Sequence, residues 1–147
     1  MMELQGAVGL AQLEKLDAVV SSQRSNAQLI RDALKELPIR FRKQPEGSFE
    51  TSDALIFFVD DKETALKCRE KLIECGLGTK ILPEAYTWHF AGTWIHMQEL
   101  VDSHEGDLEN AFPHSINLLE KAVALPVSVN MPDGNPEKIL SCLKDVL

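Results

Sequence analysis

Glu3-Leu-Gln-Gly-Ala-Val-Gly-Leu-Ala-Gln-Leu-Glu-Lys-Leu-Asp17 is apolar at helical spacing. Leu4, Val8 and Ala11 form one row, and Leu4, Ala7 and Leu10 form the row beside it. Gly6 and Gly9 stand inside this helix, each costing about 1 kcal/mol relative to Ala. A helix that tolerates two glycines commonly lets another backbone come close. The rhythm continues through Ala27, Ile30, Ala33, Leu34 and Leu37 to Pro38, which ends it. The pattern therefore predicts a helix over 3–37, with Ser21-Ser-Gln-Arg-Ser25 as a polar interval, either an exposed segment or a bend. Such length is unusual for a small globular domain and natural for a helix that connects two lobes.

Downstream of Pro38 the signals alternate. Ile39-Arg-Phe-Arg42 reads as a half-exposed strand and Pro45-Glu-Gly-Ser48 as a turn. Ala54-Leu-Ile-Phe-Phe-Val59 is a continuous apolar run, expected as a buried central strand. Asp60 or Asp61 can cap the next helix, which carries Ala65, Cys68, Leu72 and Ile73 and stops at Gly76. Thr79-Lys-Ile-Leu82 is expected as a strand, Ser115 to Val123 as a helix with Ile116, Leu119 and Val123 inward. Leu125-Pro-Val-Ser-Val129 is expected as an edge strand, Pro132-Asp-Gly-Asn-Pro136 as a turn, and Glu137 to Leu147 as a helix burying Ile139 or Leu140, Leu143 and Leu147. This order predicts an α+β architecture: a long N-terminal helix, 1–37, and a small, largely antiparallel sheet covered by helices, 38–147.

Composition narrows the function classes. The chain has 147 residues and a net charge of −8, which argues against nucleic-acid binding, since that needs a basic stripe. No apolar run approaches a bilayer span and no secretory signal is visible, so a soluble cytoplasmic protein is expected. Cys68, Cys75 and Cys142 form no paired framework by count. Cys68 and Cys75, seven apart on one helix, are expected as reduced core residues on one face.

The opening phrase resembles the linker helix of the DegT/DnrJ/EryC1/StrS sugar aminotransferases, in the pattern ELQ-x-A-x-G-x-x-QL-x-x-LD. Cys75-Gly-Leu-Gly-Thr-Lys80 is similar to the family's Gly-Ile-x-Thr segment at a strand start, and Trp88-His-Phe90 falls where the family has a Pro-x-His or similar phrase. The resemblance implies the aspartate-aminotransferase fold, with this chain as its C-terminal small domain. It further implies pyridoxal phosphate in the full-length enzyme, a keto-sugar substrate and glutamate as amino donor. Trp88, His89, Phe90, Trp94 and His96 also resemble the Trp-His-aromatic-x-x-x-Trp-x-His phrase of the 8-amino-3,8-dideoxy-manno-octulosonate transaminases.

Chemistry expected of the residues fits a partial enzyme. Pyridoxal phosphate needs a lysine, a carboxylate at the pyridine nitrogen and phosphate donors. No Gly/Ser-rich phosphate loop follows a strand here. Lys15, Lys35, Lys67, Lys71, Lys121 and Lys144 fall on helix faces as solvated surface, and Lys80, in a strand, snorkels to water. The chain is thus expected to hold no cofactor covalently and to be inactive alone, with no catalytic residue of its own. Tyr86-Thr-Trp-His-Phe-Ala-Gly-Thr-Trp-Ile-His-Met97 is the best site candidate. It concentrates both tryptophans, the single tyrosine and two of the four histidines, and a Trp can stack on a sugar face while a His bonds hydroxyls. The alternative role for these rings is to plug a small core. His89, His96 and His104 are too widely spaced for a zinc pair, so no metal is expected. Asp102-Ser-His-Glu-Gly-Asp-Leu-Glu109 reads as an exposed mobile loop.

Two functions from different classes follow. One is the C-terminal domain of a sugar aminotransferase, whose exposed first helix self-associates when its partner lobe is missing, so that a homodimer or a self-associating chain is expected. The other is a stand-alone binding or dimerisation module with a transaminase-derived fold.

Overall fold

Strand β2, Ala54–Phe58, organises the fold, and the computed structural model describes residues 3–78 and 90–147. β2 lies between β1, Arg40–Phe41, and β3, Ala122–Pro126, antiparallel to both. Opposed residues share a face in an antiparallel pair. Leu55 therefore meets Leu125 and Phe57 meets Val123 on one side, while Ile56 meets Ala124 and Phe58 meets Ala122 on the other. The run is central, as expected, but its burial alternates: Leu55, Phe57 and Val59 are buried, Ala54, Ile56 and Phe58 only partly.

Three helices cover the first face: α2, Leu16–Leu34, α3, Lys62–Glu74, and a C-terminal helix, Asn135–Lys144. Ala27, Ile30 and Leu34 of α2 join Ala65, Cys68 and Leu72 of α3 and Ile139 and Leu143 of the C-terminal helix around Phe57. Truncating a ring buried like Phe57 costs about 3–5 kcal/mol. Ile73, expected inward, is 49% exposed. Asp61 is the cap of α3: its carboxylate accepts from Thr64 N at 2.8 Å and from Thr64 Oγ1 at 3.0 Å. Gly76, at φ +71°, supplies the left-handed residue that stops α3.

The N-terminal rod is divided. Helix α1, Glu3–Leu13, ends in a turn at Glu14 and Lys15 before α2 begins. The break thus precedes the Ser21–Ser25 interval, which is continuous helix. Side chains in and just after that interval are used: Gln23 Nε2 donates to Val127 O at 3.3 Å, and Asn26 Nδ2 donates to Ser128 O at 2.8 Å. Glu50, in the β1–β2 connection, accepts from Arg31 at 3.4 Å and also pairs with Arg42 and Gln44, which fastens α2 to the hairpin. By contrast α1 contributes nothing to the core: Leu4, Leu10 and Leu13 are 74%, 66% and 64% exposed. The space beside Gly6 and Gly9 is open.

A second group of elements follows Phe90: a 3-10 turn at Ala91–Thr93, helix α4 at Gln98–Ser103 and helix α5 at Pro113–Glu120. The helix expected over 115–123 ends at Glu120, because Ala122 and Val123 already pair with β2. Pro126 closes β3 rather than starting it, at the edge of the described sheet. The C-terminal helix, here α6, runs Asn135–Lys144, so it starts within the turn expected at Pro132–Pro136 and ends before Leu147; Asn135 N donates to Pro132 O at 3.2 Å. The run 102–109 is ordered into the end of α4 and a turn through Gly106, and it buries Leu108. The strand expected at 79–82 lies outside the described residues.

The cysteine expectation is overturned. Cys75 and Cys142 form a disulfide across 67 residues, and Cys68 alone is free and buried. Cys75 is the C-cap of α3 and packs against the core cluster that holds Cys68, but it is bonded to Cys142 of α6 rather than reduced. Closing a loop of that length constrains the unfolded chain by about 4 kcal/mol.

Candidate functional site

The outer face of the sheet, opposite the three-helix layer, carries the candidate site. Ile56 and Phe58 project there because they alternate with the core residues of β2. α5 lies beyond them, its entry fixed by Pro113 at the first helical position. Between sheet and helix is a pocket of about 450 Å³, lined by apolar groups that include Ile56, Phe58, Phe90, Trp94, Phe112 and Leu119. Arg42 and Ser115 are the polar side chains on its wall. That size and that mixture suit a small ligand held by apolar contact and oriented by a few donors.

Phe90 is the hinge of this region. It is buried, and it stacks edge-on against Phe112 with ring centroids 6.2 Å apart. Phe112 in turn meets the His104 ring at 5.0 Å. Thr93 Oγ1 donates to Phe90 O at 2.8 Å and closes the 3-10 turn that presents Trp94. On its other side Phe90 walls a second pocket of about 500 Å³, with Thr93, Val101, Asp107, Leu108 and Ile116.

Of the five aromatic and histidine candidates, the structure brings two together. Phe90 and Trp94 line the same pocket. His96 is exposed and lines none of the pockets described here. Trp88 and His89 lie outside the described residues. Phe58, Phe112, Leu119 and Arg42 were not expected at the site. The alternation in β2 could have flagged Phe58, but a run apolar at every position hides which face each residue takes. Phe112 is brought in by the turn after α4, which no local pattern announces.

Pyridoxal phosphate does not fit the described residues. Among them, no lysine lines either pocket, and Lys62, Lys67 and Lys71 are paired with Glu120, Glu63 and Asp145. The N-terminus of α3, a position that could cradle phosphate, is filled by the Asp61 carboxylate. That carboxyl is held below its usual range by the bonds from Thr64, so it stays negative where a phosphate would need donors. Among the described residues no three His, Cys, Asp or Glu side chains come together as metal ligands. No described helix is long and apolar enough to cross a membrane.

Comparison with known proteins gives a consistent result. Residues 1–144 match the model of the DegT/DnrJ/EryC1/StrS aminotransferase family. The chain is 27% identical over 147 residues to GDP-perosamine synthase of Vibrio cholerae, and 23% identical to the spore coat polysaccharide biosynthesis protein SpsC of Bacillus subtilis. These alignments take in 99% and 100% of this chain but 37% of each relative, so the chain spans about a third of the length of the curated relatives it matches. In fold it is similar to a putative sugar aminotransferase from Streptococcus pneumoniae, whose structure in the pyridoxal phosphate form superposes with a TM-score of 0.75 at 15% identity, over 100% of this chain and 37% of that one. It is also similar to PseC of Helicobacter pylori, an aminotransferase of pseudoaminic acid biosynthesis, with a TM-score of 0.73 at 16% identity over 98% of this chain and 37% of that one.

Proposed function

Because the chain belongs to the DegT/DnrJ/EryC1/StrS aminotransferase family, we propose that it is the C-terminal small domain of an enzyme that moves an amino group from glutamate to a keto-sugar. Residues 1–37 are the linker and 38–147 the small domain in this reading. Pyridoxal phosphate would supply an electron sink for the transfer, bound by the remainder of the enzyme, and this chain alone would hold none of it covalently. The observation that carries the proposal is α1: a helix apolar around much of its circumference, yet without a single buried residue. Helices of that composition are covered in folded proteins. About two thirds of the length of the relatives is available to cover it.

The aromatic pocket would take part of the sugar. Trp94 offers a ring face for stacking, Phe90 fixes the turn that presents it, and Arg42 and Ser115 supply donors at the wall. The resemblance of Trp88, His89, Phe90, Trp94 and His96 to the phrase of the octulosonate transaminases makes an eight-carbon keto-sugar acid the first substrate to test. The same reading places the protein in the cytoplasm, as a homodimer.

Mixing the purified chain with pyridoxal phosphate, reducing with borohydride and measuring the intact mass tests this reading. No stoichiometric adduct is expected. A one-to-one adduct at a single lysine contradicts it.

A further inference from the structure

The two residues of the Cys75–Cys142 bond differ in exposure. Cys75 is half-buried at the C-terminal end of α3, with its N–H held by Lys71 O at 3.0 Å. Cys142 is only 6% exposed on α6. The bond crosses between the two helices at the rim of the core, beside the contact of Lys71 with Asp145 at 3.5 Å. A disulfide with one reachable sulfur can exchange with small thiols, whereas a sealed one resists them. Glutathione keeps accessible pairs reduced in the cytosol.

We propose that Cys75 and Cys142 form a redox-responsive clamp, closed by exchange with a low-molecular-weight disulfide such as glutathione disulfide, which fixes the C-terminal helix to the end of α3. In closing, the Cys75 thiolate attacks the glutathione disulfide, forms a mixed disulfide and releases one glutathione thiolate. The Cys142 thiolate then attacks the Cys75 sulfur, forms the intramolecular bond and releases the second. Two protein thiols are oxidised, one glutathione disulfide is reduced to two glutathione molecules, and the two protein protons pass to them. Reduced glutathione runs the same steps backwards. Cys68 takes no part, because it lies sealed in the core between α3 and the sheet. With the clamp open, α6 is kept in place by packing of Pro136, Ile139, Cys142 and Leu143 without the covalent tie, and it opens more often. The inference does not depend on the aminotransferase reading.

The test equilibrates the native chain in glutathione buffers from fully reduced to fully oxidised. Each sample is quenched in acid, denatured and alkylated, and the alkylated thiols are counted by intact mass. The count should pass reversibly from three to one, with peptide mapping placing the lost pair at 75 and 142. Amide exchange over 135–144 should slow on oxidation, while exchange in β2 stays unchanged. Cys68→Ala should keep the response and Cys142→Ser should abolish it; if either variant fails to fold, the wild-type titration decides. A count that stays at three in glutathione disulfide overturns the proposal. So does a bond that yields only after unfolding, a pair that includes Cys68, or equal exchange over 135–144 in both states.

Discussion

A methyl group on Gly92 would lie 2.3 Å from Cε1 of Phe90, so the ring of Phe90 occupies the space that any side chain at position 92 would need. The Leu108 carbonyl oxygen, 3.0 Å from the same point, closes the other side. Phe90 is buried and stacked on Phe112, so the ring has little room to give. Gly92→Ala is expected to destabilise the chain by about 1–3 kcal/mol, the usual range for overpacking. Denaturant unfolding monitored at the tryptophans checks this. The pocket that Phe90 and Trp94 share should be reshaped too, seen as a shift in native tryptophan emission.

The cap of α3 gives a pH dependence with a definite sign. The Thr64 N–H and hydroxyl bonds hold the Asp61 carboxyl below its ordinary value of 3.8. A group whose folded pKa is lowered adds stability above its unfolded value, and loses it as pH falls through the folded one. Asp61→Asn keeps a capping oxygen without the charge. Thermal unfolding from about pH 5 down to pH 2 should show a smaller loss of Tm in Asp61→Asn than in the wild type. Parallel curves would remove Asp61 from the acid transition.

Burial pushes the Cys68 thiol from 9.0 up to about 11. Very little thiolate is then present near neutral pH, and the thiolate is the reactive form. Native chain treated with iodoacetamide at about pH 8 should leave Cys68 unlabelled until the protein unfolds. Rapid native labelling at position 68 would show that the core around Leu72 opens readily.

The exposed face of α1 predicts self-association. Light scattering of the isolated chain should give a mass above 16.4 kDa, and Leu10→Glu with Leu13→Glu should return it to the monomer, since both leucines are largely exposed. At dilutions where the wild type is also monomeric, their replacement should leave Tm nearly unchanged, because both leucines are exposed in the single chain. A wild-type chain that remains monomeric at high concentration counts against an uncovered interface on α1.

The architecture was legible where periodicity and turn chemistry agree. Leu55 and Phe57 mark the central strand, Asp61 and Gly76 bracket α3, and Gly134 turns the chain into α6. Less was legible where contacts are non-local. The bend at Glu14 and Lys15 sits in a stretch of good helix formers. The end of α5 at Glu120 is decided by Ala122 pairing with Phe58, 64 positions earlier in the chain. The Cys75–Cys142 bond depends on α3 and α6 lying side by side, which spacing does not reveal. In the candidate pocket, Phe90 and Trp94 were singled out by their crowding in one loop, and Arg42 and Phe112 were not, because only the folded sheet brings them there.

The central claim is that α1 belongs against a lobe that carries the cofactor. The most direct measurement is the intact mass, in the source cell, of the polypeptide that contains this sequence, followed by mapping of borohydride-trapped pyridoxal phosphate. The account predicts about 44 kDa, the 16.4 kDa of this chain scaled by its 37% share of the relatives, with the trapped lysine outside these 147 residues. A 16.4 kDa product with the cofactor on one of its own lysines would contradict it.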